Sequence, residues 1–482
     1  MASVVLVDPR GWQGFATGHS AYPNVGIAYL SSALRVRGHE AHIIDLNNSL
    51  MSEEEVLSDL SRRTPDLIGF SIKTATMRSA ERLAAMVKTA FPDVPIVAGG
   101  PHITLTYETL LDHPSFDYLM PGEGEKSFPD ACDHLIRGGP VATMPGVIRT
   151  RVEGGGPHHV PMVEDPDGLE FPTYGGFPQP VQARLKRRYP LLTSRGCPYR
   201  CIFCSVPFVS GRKFRVRSYD NLIQELVQAI EKGATGFEII DDVFNLNVRR
   251  SKEFCRRLID AALGLEWCCE NGIRADRMDK ELAHLMYRSG CRHVCVGVES
   301  ADPPVFANVK KGETLEEIKD GIRMLKDAGV EISGFFIIGL PGSSPASEER
   351  AVEFAYRLGI TPVFNMLVPY PGTPLYGWAR DNARFVADIE EGVHFHEGVV
   401  RTVIETEDYL AKERVAAWER VHFRIASLRS LLGRDTPLWI KLFRFMRFSW
   451  RYNLFKALPF LQRKVRRKLR RFIPRHLTSR VE

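Results

Sequence analysis

The run TSRGCPYRCIFCSVP, residues 193–207, contains three cysteines, Cys197, Cys201 and Cys204, in the spacing Cys-x3-Cys-x2-Cys. Three thiolates this close in sequence can each hold one iron of a four-iron, four-sulfur cluster, and no fourth cysteine lies nearby for the last iron. That open iron is a place for chemistry, as the vacant position of a catalytic metal is. A zinc site and unpaired core cysteines are the alternatives, but zinc usually comes with paired spacings and four ligands.

Around this run, from about residue 189, short apolar strands alternate with helices. The predicted strands are 189–194, 236–241, 266–273, 293–300, 331–339 and 361–368. The cysteine run follows the first strand, at the carboxyl end where barrel active sites lie. Six strands with intervening helices predict a partial (β/α)6 barrel over residues 189–385, open on one side.

Several of these strands end in polar residues. Asp241 and Asp242 end the second strand, Arg274 follows the third, and Glu299 and Ser300 end the fourth. A guanidinium can donate hydrogen bonds to a carboxylate of a ligand, and a carboxylate can accept them from ammonium or hydroxyl groups. Ordinary ion pairs at strand ends are the alternative for Asp241, Asp242 and Arg274, and a surface carboxylate is the alternative for Glu299.

Residues 1–138 show the same alternation of strands and helices. Strands are predicted at 4–8, 40–46, 66–72, 95–100 and 116–120, and helices at 25–38, at 78–91 and from about 106. This pattern predicts a doubly wound parallel sheet that binds ligands at the carboxyl ends of its strands. The candidate ligand-binding residues at those ends are Ser71, Gly99, Gly100, His102, Gly122 and Glu123. Plain loop glycine is the alternative to glycine that admits a large ligand.

The cysteine run, the strand ends and the stretch YPNVGIAYLSSALRVRGHEAHIIDL (22–46) together resemble the cobalamin-binding branch of the radical S-adenosylmethionine (SAM) superfamily. The resemblance implies an α/β protein with a cobalamin-binding, Rossmann-like domain over 1–138, a linker over 139–188 and a radical SAM barrel over 189–385. It also implies three cofactors, namely a 4Fe-4S cluster, SAM and cobalamin.

The resemblance further implies roles for individual residues. In that family SAM chelates the open iron, so the three cysteines would hold the cluster and Phe203 would lie against the adenine. It suggests Glu299 for the ribose, with Ser300 beside it. Asp241, Asp242 and Arg274 would bind the SAM ammonium and carboxylate groups. Ser71, Gly99, Gly100, His102, Gly122 and Glu123 would contact cobalamin.

The N-terminal domain departs from the family in one place. Many cobalamin domains carry Asp-x-His-x-x-Gly, whose histidine ligates cobalt. The matching stretch here is Asp8-Pro9-Arg10-Gly11, with Arg10 at the histidine position. We therefore expect cobalamin to bind without a histidine axial ligand.

The resemblance implies radical chemistry that ends in methylation of an unactivated carbon. The expected substrate is a hydrophobic small molecule (a lipid, a hopanoid or a tetrapyrrole) or a natural-product intermediate, and a flavodoxin or ferredoxin is the expected electron donor. The alternative is an oxidative cyclase or ring-rearranging enzyme of the anaerobic magnesium-porphyrin cyclase type, which uses the same parts. Methylthiotransferases are disfavoured because residues 1–131 contain no cysteine for a second cluster. A non-enzymatic cobalamin or iron–sulfur sensor would not need the strand-end residues.

The charge of the chain is unevenly distributed. Residues 434–480 carry 15 Lys/Arg and one acid, whereas the chain as a whole has a net charge of only +6. Within the helical region predicted over 386–482, basic residues such as Lys441 and Arg444 oppose an apolar face that includes Leu438 and Trp450. This pattern suits a helix in the headgroup layer of an anionic membrane. A helical subdomain packed on the barrel and a nucleic-acid arm are the alternatives, and nucleic acid is the less favoured partner.

A reducing compartment fits both the free thiols and an oxygen-sensitive cluster. Nine cysteines without a basic and apolar leader argue against a disulfide scaffold, and no apolar run is long enough to span a membrane. The sequence therefore predicts a cytoplasmic protein, with peripheral contact to the inner face of the membrane as a further hypothesis.

Overall fold

The computed structural model describes residues 2–11, 22–136, 144, 146–151, 160–392 and 400–432. These residues form two six-stranded sheets and two short two-stranded pairings. The basic region 434–480, with its predicted membrane-facing helix, lies outside the described residues. No described helix is both long enough and apolar enough to cross a membrane.

The N-terminal sheet alternates with helices along the chain. Its elements are β1 (Ser3–Asp8), α1 (Val25–Val36), β2 (Glu40–Asp45), α2 (Glu53–Arg63), β3 (Leu67–Ser71), α3 (Met77–Ala90), β4 (Ile96–Gly99), α4 (Pro101–Thr106), β5 (Tyr118–Met120), α5 (Gly124–Ile136) and β6 (Ile148–Arg149).

The strand order of this sheet, β2-β1-β3-β4-β5-β6, defines where a ligand can bind. Strands β1 to β5 are parallel, and β6 adds an antiparallel edge. In such open sheets the crevice at the carboxyl ends of the strands, beside β1 and β3 where the order reverses, takes the ligand. The predicted parallel sheet is confirmed, and the antiparallel edge strand comes from the segment predicted as a linker.

One helix begins earlier than the sequence suggested. We expected it from about residue 106, but α4 starts at Pro101. Gly100 has φ 98°, which ends β4 in a tight turn, and the proline ring of Pro101 fixes φ at the first helical position. The turn therefore brings a helix N-terminus directly behind the end of β4.

The second sheet is preceded by α6 (Gln179–Leu185), which lies in the predicted linker. Its elements are β7 (Tyr189–Leu191), β8 (Ser194–Arg195), α7 (Val206–Val209), β9 (Arg215–Val216), α8 (Tyr219–Glu231), β10 (Gly236–Ile239), α9 (Val248–Ala261), β11 (Glu266–Ile273), α10 (Lys280–Arg288), β12 (Cys291–Glu299), α11 (Pro303–Val309), α12 (Leu315–Asp327), β13 (Glu331–Ile338), α13 (Pro345–Leu358), β14 (Thr361–Met366) and α14 (Pro374–Asn382).

This sheet is the predicted partial barrel. Six strands pair in the order β14-β13-β12-β11-β10-β7, all parallel, with β7 and β14 left at the open edges. The outer face of the strands packs in the core beneath the helices and includes Phe237, Trp267 and Val294. Side chains alternate along a strand, so the adjacent residues of the same strands face the lumen. These are Glu238, Cys268 and His293. The alternation of the strands thus separates an apolar outer face from a polar inner one.

The described C-terminal part packs on the barrel. It consists of β15 (Arg384–Phe385), α15 (Ile389–Gly392), β16 (Ile404–Glu405) and α16 (Ala411–Leu432). The buried Arg414 of α16 donates to Gly339 O, at the end of β13, over 3.0 Å. The start of α16 is therefore anchored at the carboxyl edge of the barrel.

Beside this anchor, Glu348 of α13 is buried, and its carboxyl accepts from Gly339 N over 3.2 Å. Burial raises the pKa of Glu348 to about 8, although Gly339 N–H and Arg414 oppose the shift. The folded state therefore binds an extra proton between the ordinary carboxyl pKa and about pH 8, so stability declines as pH rises through this window. We expect Glu348→Gln to lose this decline and to unfold at a higher temperature than the wild type at pH 9.

Melting curves at pH 6 and pH 9 test this expectation. The expected gain in unfolding free energy at pH 9 is on the order of 1–3 kcal/mol. Glu353→Gln, an exposed position on the same helix, serves as the matched control and should leave the pH dependence unchanged. Equal pH profiles for wild type and Glu348→Gln would show that Glu348 is ionised throughout.

Candidate functional site

The cysteine loop is held at the carboxyl edge of the barrel by backbone hydrogen bonds. Cys197 N donates to Gly211 O over 3.0 Å, within the loop that the β8–β9 pair closes. Ile202 N donates to Val309 O over 3.1 Å, and Leu375 N donates to Ile202 O over 2.9 Å. The loop is thus fixed from both sides, by the end of α11 and the start of α14.

All three cysteines, Cys197, Cys201 and Cys204, line one cavity of about 370 Å³, called here the cysteine cavity. Burial raises the pKa of the Cys201 thiol to about 11 and that of Cys204 to about 12. Thiols without a metal are therefore protonated at neutral pH, and metal binding would release their protons. Within the described residues no three His, Cys, Asp or Glu side chains meet closely enough to hold a single metal ion. In a four-iron cluster each thiolate binds a different iron, so the three thiols suit that group.

Four residues predicted to bind SAM line the same cavity. They are Phe203, Asp242, Arg274 and Glu299. They come from the cysteine loop and from the carboxyl ends of β10, β11 and β12, which parallel pairing brings to one edge. Their assignment to SAM stays a prediction, but the fold brings them together beside the cysteines.

Glu299 is the most constrained of these residues. It has φ 65°, a left-handed conformation that costs a non-glycine residue of order 1–3 kcal/mol, and the β12–β13 pairing shifts register there. Lys311 Nζ lies 3.1 Å from Glu299 Oε1 and also donates to Gly297 O. A Cβ on Gly297 would lie 2.4 Å from Glu299 Oε1, so any other residue at this position would displace this pair.

Lys311 is a buried cation of the cysteine cavity that the sequence analysis missed. Burial favours its neutral form, but Glu299 and Glu313 outweigh burial and raise the pKa of Lys311. Its amine lies 2.9 Å from Glu313 Oε1. The only sequence signal is the pair Lys310-Lys311 before Gly312, directly after α11, and nothing in it indicates burial.

Arg274 is already engaged by the protein. Its Nε donates to Asp276 Oδ1 over 2.8 Å, and its terminal nitrogens donate to Lys311 O and Gly312 O. Its guanidinium carbon lies 3.5 Å from the centre of the Tyr199 ring. Arg274 therefore joins the cysteine loop to the segment that carries Lys311, and these contacts leave its donors little freedom for a ligand.

Asp241 and Ser300 lie away from the cavity wall. The fully buried Asp241 accepts from Thr193 N over 2.6 Å, from Thr193 Oγ1 and from Ser194 Oγ over 2.6 Å. Burial raises its pKa to about 6, which these hydrogen bonds oppose. Ser300 Oγ accepts from Asp302 N over 3.2 Å. These contacts give both residues a structural role in holding strand ends.

A second cavity, of about 250 Å³, opens at the carboxyl ends of the N-terminal strands and is called here the sheet-edge cavity. Five of the six predicted cobalamin residues line it, namely Ser71, Gly99, Gly100, Gly122 and Glu123. The radical domain closes the other side with Leu192, Arg195, Val209, Ser210 and Asp242. The cavity therefore lies between the two sheets.

Five of the six glycines that line the sheet-edge cavity fall into two groups. At Gly100 and Gly122 φ is 98° and 91°, and a Cβ would lie 2.7 Å from Ile72 N or 2.5 Å from Pro161 O, so the backbone itself requires glycine. At Gly26, Gly99 and Gly124 the nearest atom to an added Cβ is 3.4 Å away. Missing side chains there leave room in the cavity. An apolar cradle with such openings suits one face of a large, amide-rich cofactor such as cobalamin.

His102 is the predicted cobalamin residue that does not line the cavity. It is buried, its Nδ1 lies 3.2 Å from Thr74 Oγ1, and burial lowers its pKa to about 4. Arg10, at the position of the axial histidine, donates instead to Met51 O over 2.5 Å. No histidine is among the described residues that line the sheet-edge cavity.

This geometry gives a spectroscopic prediction. With the benzimidazole of the cofactor off the cobalt, the cob(II)alamin form of the protein should show no strong nitrogen superhyperfine splitting in its electron spin resonance spectrum, because no described imidazole faces the cavity. His102→Ala should leave the spectrum unchanged. Strong splitting in the wild type that disappears in His102→Ala would show that His102 turns toward the cobalt.

Asp242 lines both cavities. Its Oδ2 accepts from Gly196 N over 2.8 Å, directly before Cys197, and burial raises its pKa. One side chain therefore forms part of the wall of the cysteine cavity and of the sheet-edge cavity, so a molecule bound between them is in reach of both.

Comparison with known proteins finds one family match in the N-terminal part of the chain and another in the barrel region. Residues 14–131 match the B12 binding domain, and residues 191–355 match the radical SAM superfamily. An uncharacterized methyltransferase of Pyrococcus horikoshii is 31% identical over 75% of this chain and 79% of its own length. The anaerobic magnesium-protoporphyrin IX monomethyl ester cyclase of Rubrivivax gelatinosus is 27% identical over 73% of this chain and 65% of its own length.

The fold is also found among solved structures. The radical SAM methyltransferase TsrM of Kitasatospora setae, with cobalamin and a 4Fe-4S cluster bound, superposes with a TM-score of 0.72 at 20% identity. The match covers 93% of this chain and 99% of that one. The fold is thus a known one, and the two matched domains account for three cofactors: cobalamin, a 4Fe-4S cluster and SAM.

Proposed function

Because the chain belongs to the family of radical SAM enzymes that bind cobalamin, we propose that it methylates an unactivated carbon of a small molecule held between its two cofactor cavities. The observation that carries this proposal is Asp242, which lines the cysteine cavity and the sheet-edge cavity together. A methyl group and a carbon radical must meet, and two cavities that share a lining residue would hold their ligands close together.

The bound cofactors supply the radical and the methyl group, and the residues of the chain bind and orient. Cys197, Cys201 and Cys204 would hold the cluster and leave one iron open. The carboxylate of Glu299, fixed by Lys311, would accept hydrogen bonds from SAM hydroxyls.

A hydrophobic substrate is supported by the walls of the cysteine cavity. Four apolar residues from β13 and the end of β14 line it, namely Phe335, Ile337, Met366 and Leu367. Apolar walls with a few polar groups are typical of sites for apolar small molecules. A lipid, hopanoid, tetrapyrrole or natural-product intermediate fits this chemistry.

The sequence of the basic tail supports peripheral contact with an anionic membrane, where such substrates occur. An external one-electron donor, such as a flavodoxin or ferredoxin, would be needed to reduce the cluster. The membrane contact and the electron donor are both part of the proposal.

Oxidative cyclisation is the second candidate. The similarity to the anaerobic cyclase of Rubrivivax gelatinosus favours it, although this chain spans 65% of that protein. The same two cavities would serve either reaction, so the products must distinguish them.

The test uses full-length protein reconstituted anaerobically with iron, sulfide and hydroxocobalamin. It is incubated with deuterated-methyl SAM, a reductant and a lipid extract, and mass spectrometry follows 5′-deoxyadenosine, S-adenosylhomocysteine and labelled lipid. Methylation predicts both nucleosides and a labelled product, all absent with Cys201→Ala. Deoxyadenosine with an unlabelled, ring-closed product would replace methylation by cyclisation.

A further inference from the structure

The wall of the cysteine cavity contains a buried ammonium group, that of Lys311. Its side chain is only 7% exposed, and it lines the cavity together with the three cysteines of the loop. Among the described residues that line this cavity, only Lys311 and Arg274 are Lys or Arg. Solvent and salt screen a buried charge much less than an exposed one, so Lys311 acts on the group that fills the cavity.

Three oxygen atoms fix the position of this ammonium. Lys311 Nζ donates to Gly297 O at the end of β12. The same nitrogen lies 3.1 Å from Glu299 Oε1 and 2.9 Å from Glu313 Oε1. One cation therefore compensates two carboxylates, and the loss of Lys311 would leave both of them without it.

The backbone around Lys311 is tied to the cysteine loop. Helix α11 ends at Val309, whose carbonyl accepts from Ile202 N over 3.1 Å, directly after the second cysteine. Arg274 donates to Lys311 O over 2.9 Å. Its guanidinium carbon lies 3.5 Å from the centre of the Tyr199 ring, which belongs to the loop. The fold therefore sets the position of the ammonium relative to the cysteines.

The charge of Lys311 favours negative charge at one of these cysteines. Burial has the largest effect on Cys201 and raises the pKa of its thiol, and Lys311 is the largest influence in the opposite direction. A cation that favours a thiolate also favours further negative charge on the group that the thiolate binds. One-electron reduction of a four-iron cluster adds such a charge, and the reduction potential depends on the charges around the cluster.

We propose that Lys311 sets the reduction potential of the cluster, because its fixed ammonium compensates Glu299 and Glu313 and stabilises the extra negative charge of the reduced state. The inference rests on a 4Fe-4S cluster held by the three cysteines. The electron comes from an external one-electron donor, which is oxidised, and no proton or covalent bond is transferred. Without Lys311 the reduced state is less stable, and the potential falls.

The test measures the midpoint potential of the reconstituted full-length protein without SAM, by titration with dithionite and electron spin resonance of the reduced cluster. Lys311→Met removes the charge and keeps an unbranched side chain. We expect its reduction equilibrium to shift about tenfold or more towards the oxidised state, which corresponds to a potential lower by ~59 mV for one electron. Lys311→Arg keeps the charge and should stay within about threefold of the wild type.

Lys310→Met is the matched control. Lys310 precedes Lys311 in the chain, but it is exposed and does not line the cysteine cavity. Its replacement changes the net charge of the protein by the same amount, at a position where solvent screens the charge. We expect its reduction equilibrium to change less than about twofold.

Glu299→Gln should shift the potential in the opposite direction. The amide keeps the shape of the side chain but removes a negative charge from the cavity wall, and Lys311 retains Glu313 as a partner. We expect the equilibrium to shift about tenfold towards the reduced state. Damage to the cysteine loop would not produce shifts of opposite sign in two proteins that both keep their full iron content.

An unchanged potential in Lys311→Met with full iron content would overturn the inference. Equal shifts in Lys311→Met and Lys310→Met would also overturn it, because the charge of the cavity wall would then have no special effect. If Lys311→Met fails to fold or to take up iron, Glu299→Gln decides, and an unshifted or lower potential in that variant contradicts the inference. Wild-type protein that takes up no iron would refute the cluster site itself, which is a separate result.

Discussion

Replacing Cys201 by alanine is expected to remove the cluster and, with it, SAM cleavage. Cys201 lies in the middle of the loop, and its carbonyl accepts from Cys204 N over 3.2 Å, so the backbone survives the change while one of three iron ligands is lost. Two cysteines cannot hold a cluster that leaves one iron open. We expect deoxyadenosine formation to fall below about one thousandth of the wild-type rate.

Iron and sulfide content after anaerobic reconstitution, with deoxyadenosine measured by chromatography, is the readout. Cys255→Ala is the matched control, because Cys255 is equally a free cysteine but is buried on α9, outside both cavities. The Cys255→Ala protein should keep its full iron content. Its only loss should be in stability, because alanine leaves a small cavity at this buried position. Full iron in Cys201→Ala would mean that another residue completes the site.

The second large effect is expected from Gly26→Met. Gly26 lies in the first turn of α1 and lines the sheet-edge cavity, and an added Cβ meets only Asn24 Oδ1, at 3.4 Å. A methionine side chain would therefore occupy the cavity without displacing the protein. We expect the Kd for hydroxocobalamin to rise about 100-fold or more, which corresponds to roughly 3 kcal/mol.

Gly377→Met provides the control for Gly26→Met. Gly377 is also helical, in α14, and an added Cβ meets no atom within 4 Å. Both variants replace glycine in a helix, which favours stability by at most about 1 kcal/mol. Melting temperatures no lower than that of the wild type, with cobalamin binding lost only in Gly26→Met, would assign the cavity. Equal binding by both variants would mean that cobalamin lies elsewhere.

Much of the fold could be predicted from the sequence, because the alternation of short apolar strands with helices can be read from neighbouring residues of the chain. The predicted strand at 266–273 is β11 to the residue, and the cysteine spacing alone indicates the loop. The start of α4 was wrong because the prediction overlooked the proline at the first helical position after Gly100. The antiparallel β6 was missed because two residues carry no periodic signal.

The site was less predictable, since it depends on which way neighbouring side chains point. Asp241 and Asp242 are adjacent and chemically identical, yet the first turns to Thr193 and Ser194 while the second lines both cavities. Arg195 meets carboxylates 70 or more residues away in sequence. Only tertiary packing decides such pairings, so Arg195 and Lys311 could not be assigned from one sequence.

The shared wall at Asp242 has a consequence for inhibitor design. Two sites separated by one carboxylate can be bridged by a short tether, and a tethered ligand binds its second site at an effective concentration in the millimolar range. A nucleoside analogue joined to a corrinoid fragment would therefore gain avidity that neither half has alone. The tethered compound would be selective for proteins in which one residue borders both sites. Enzymes that bind only a nucleoside or only a corrinoid would bind just one of its two parts.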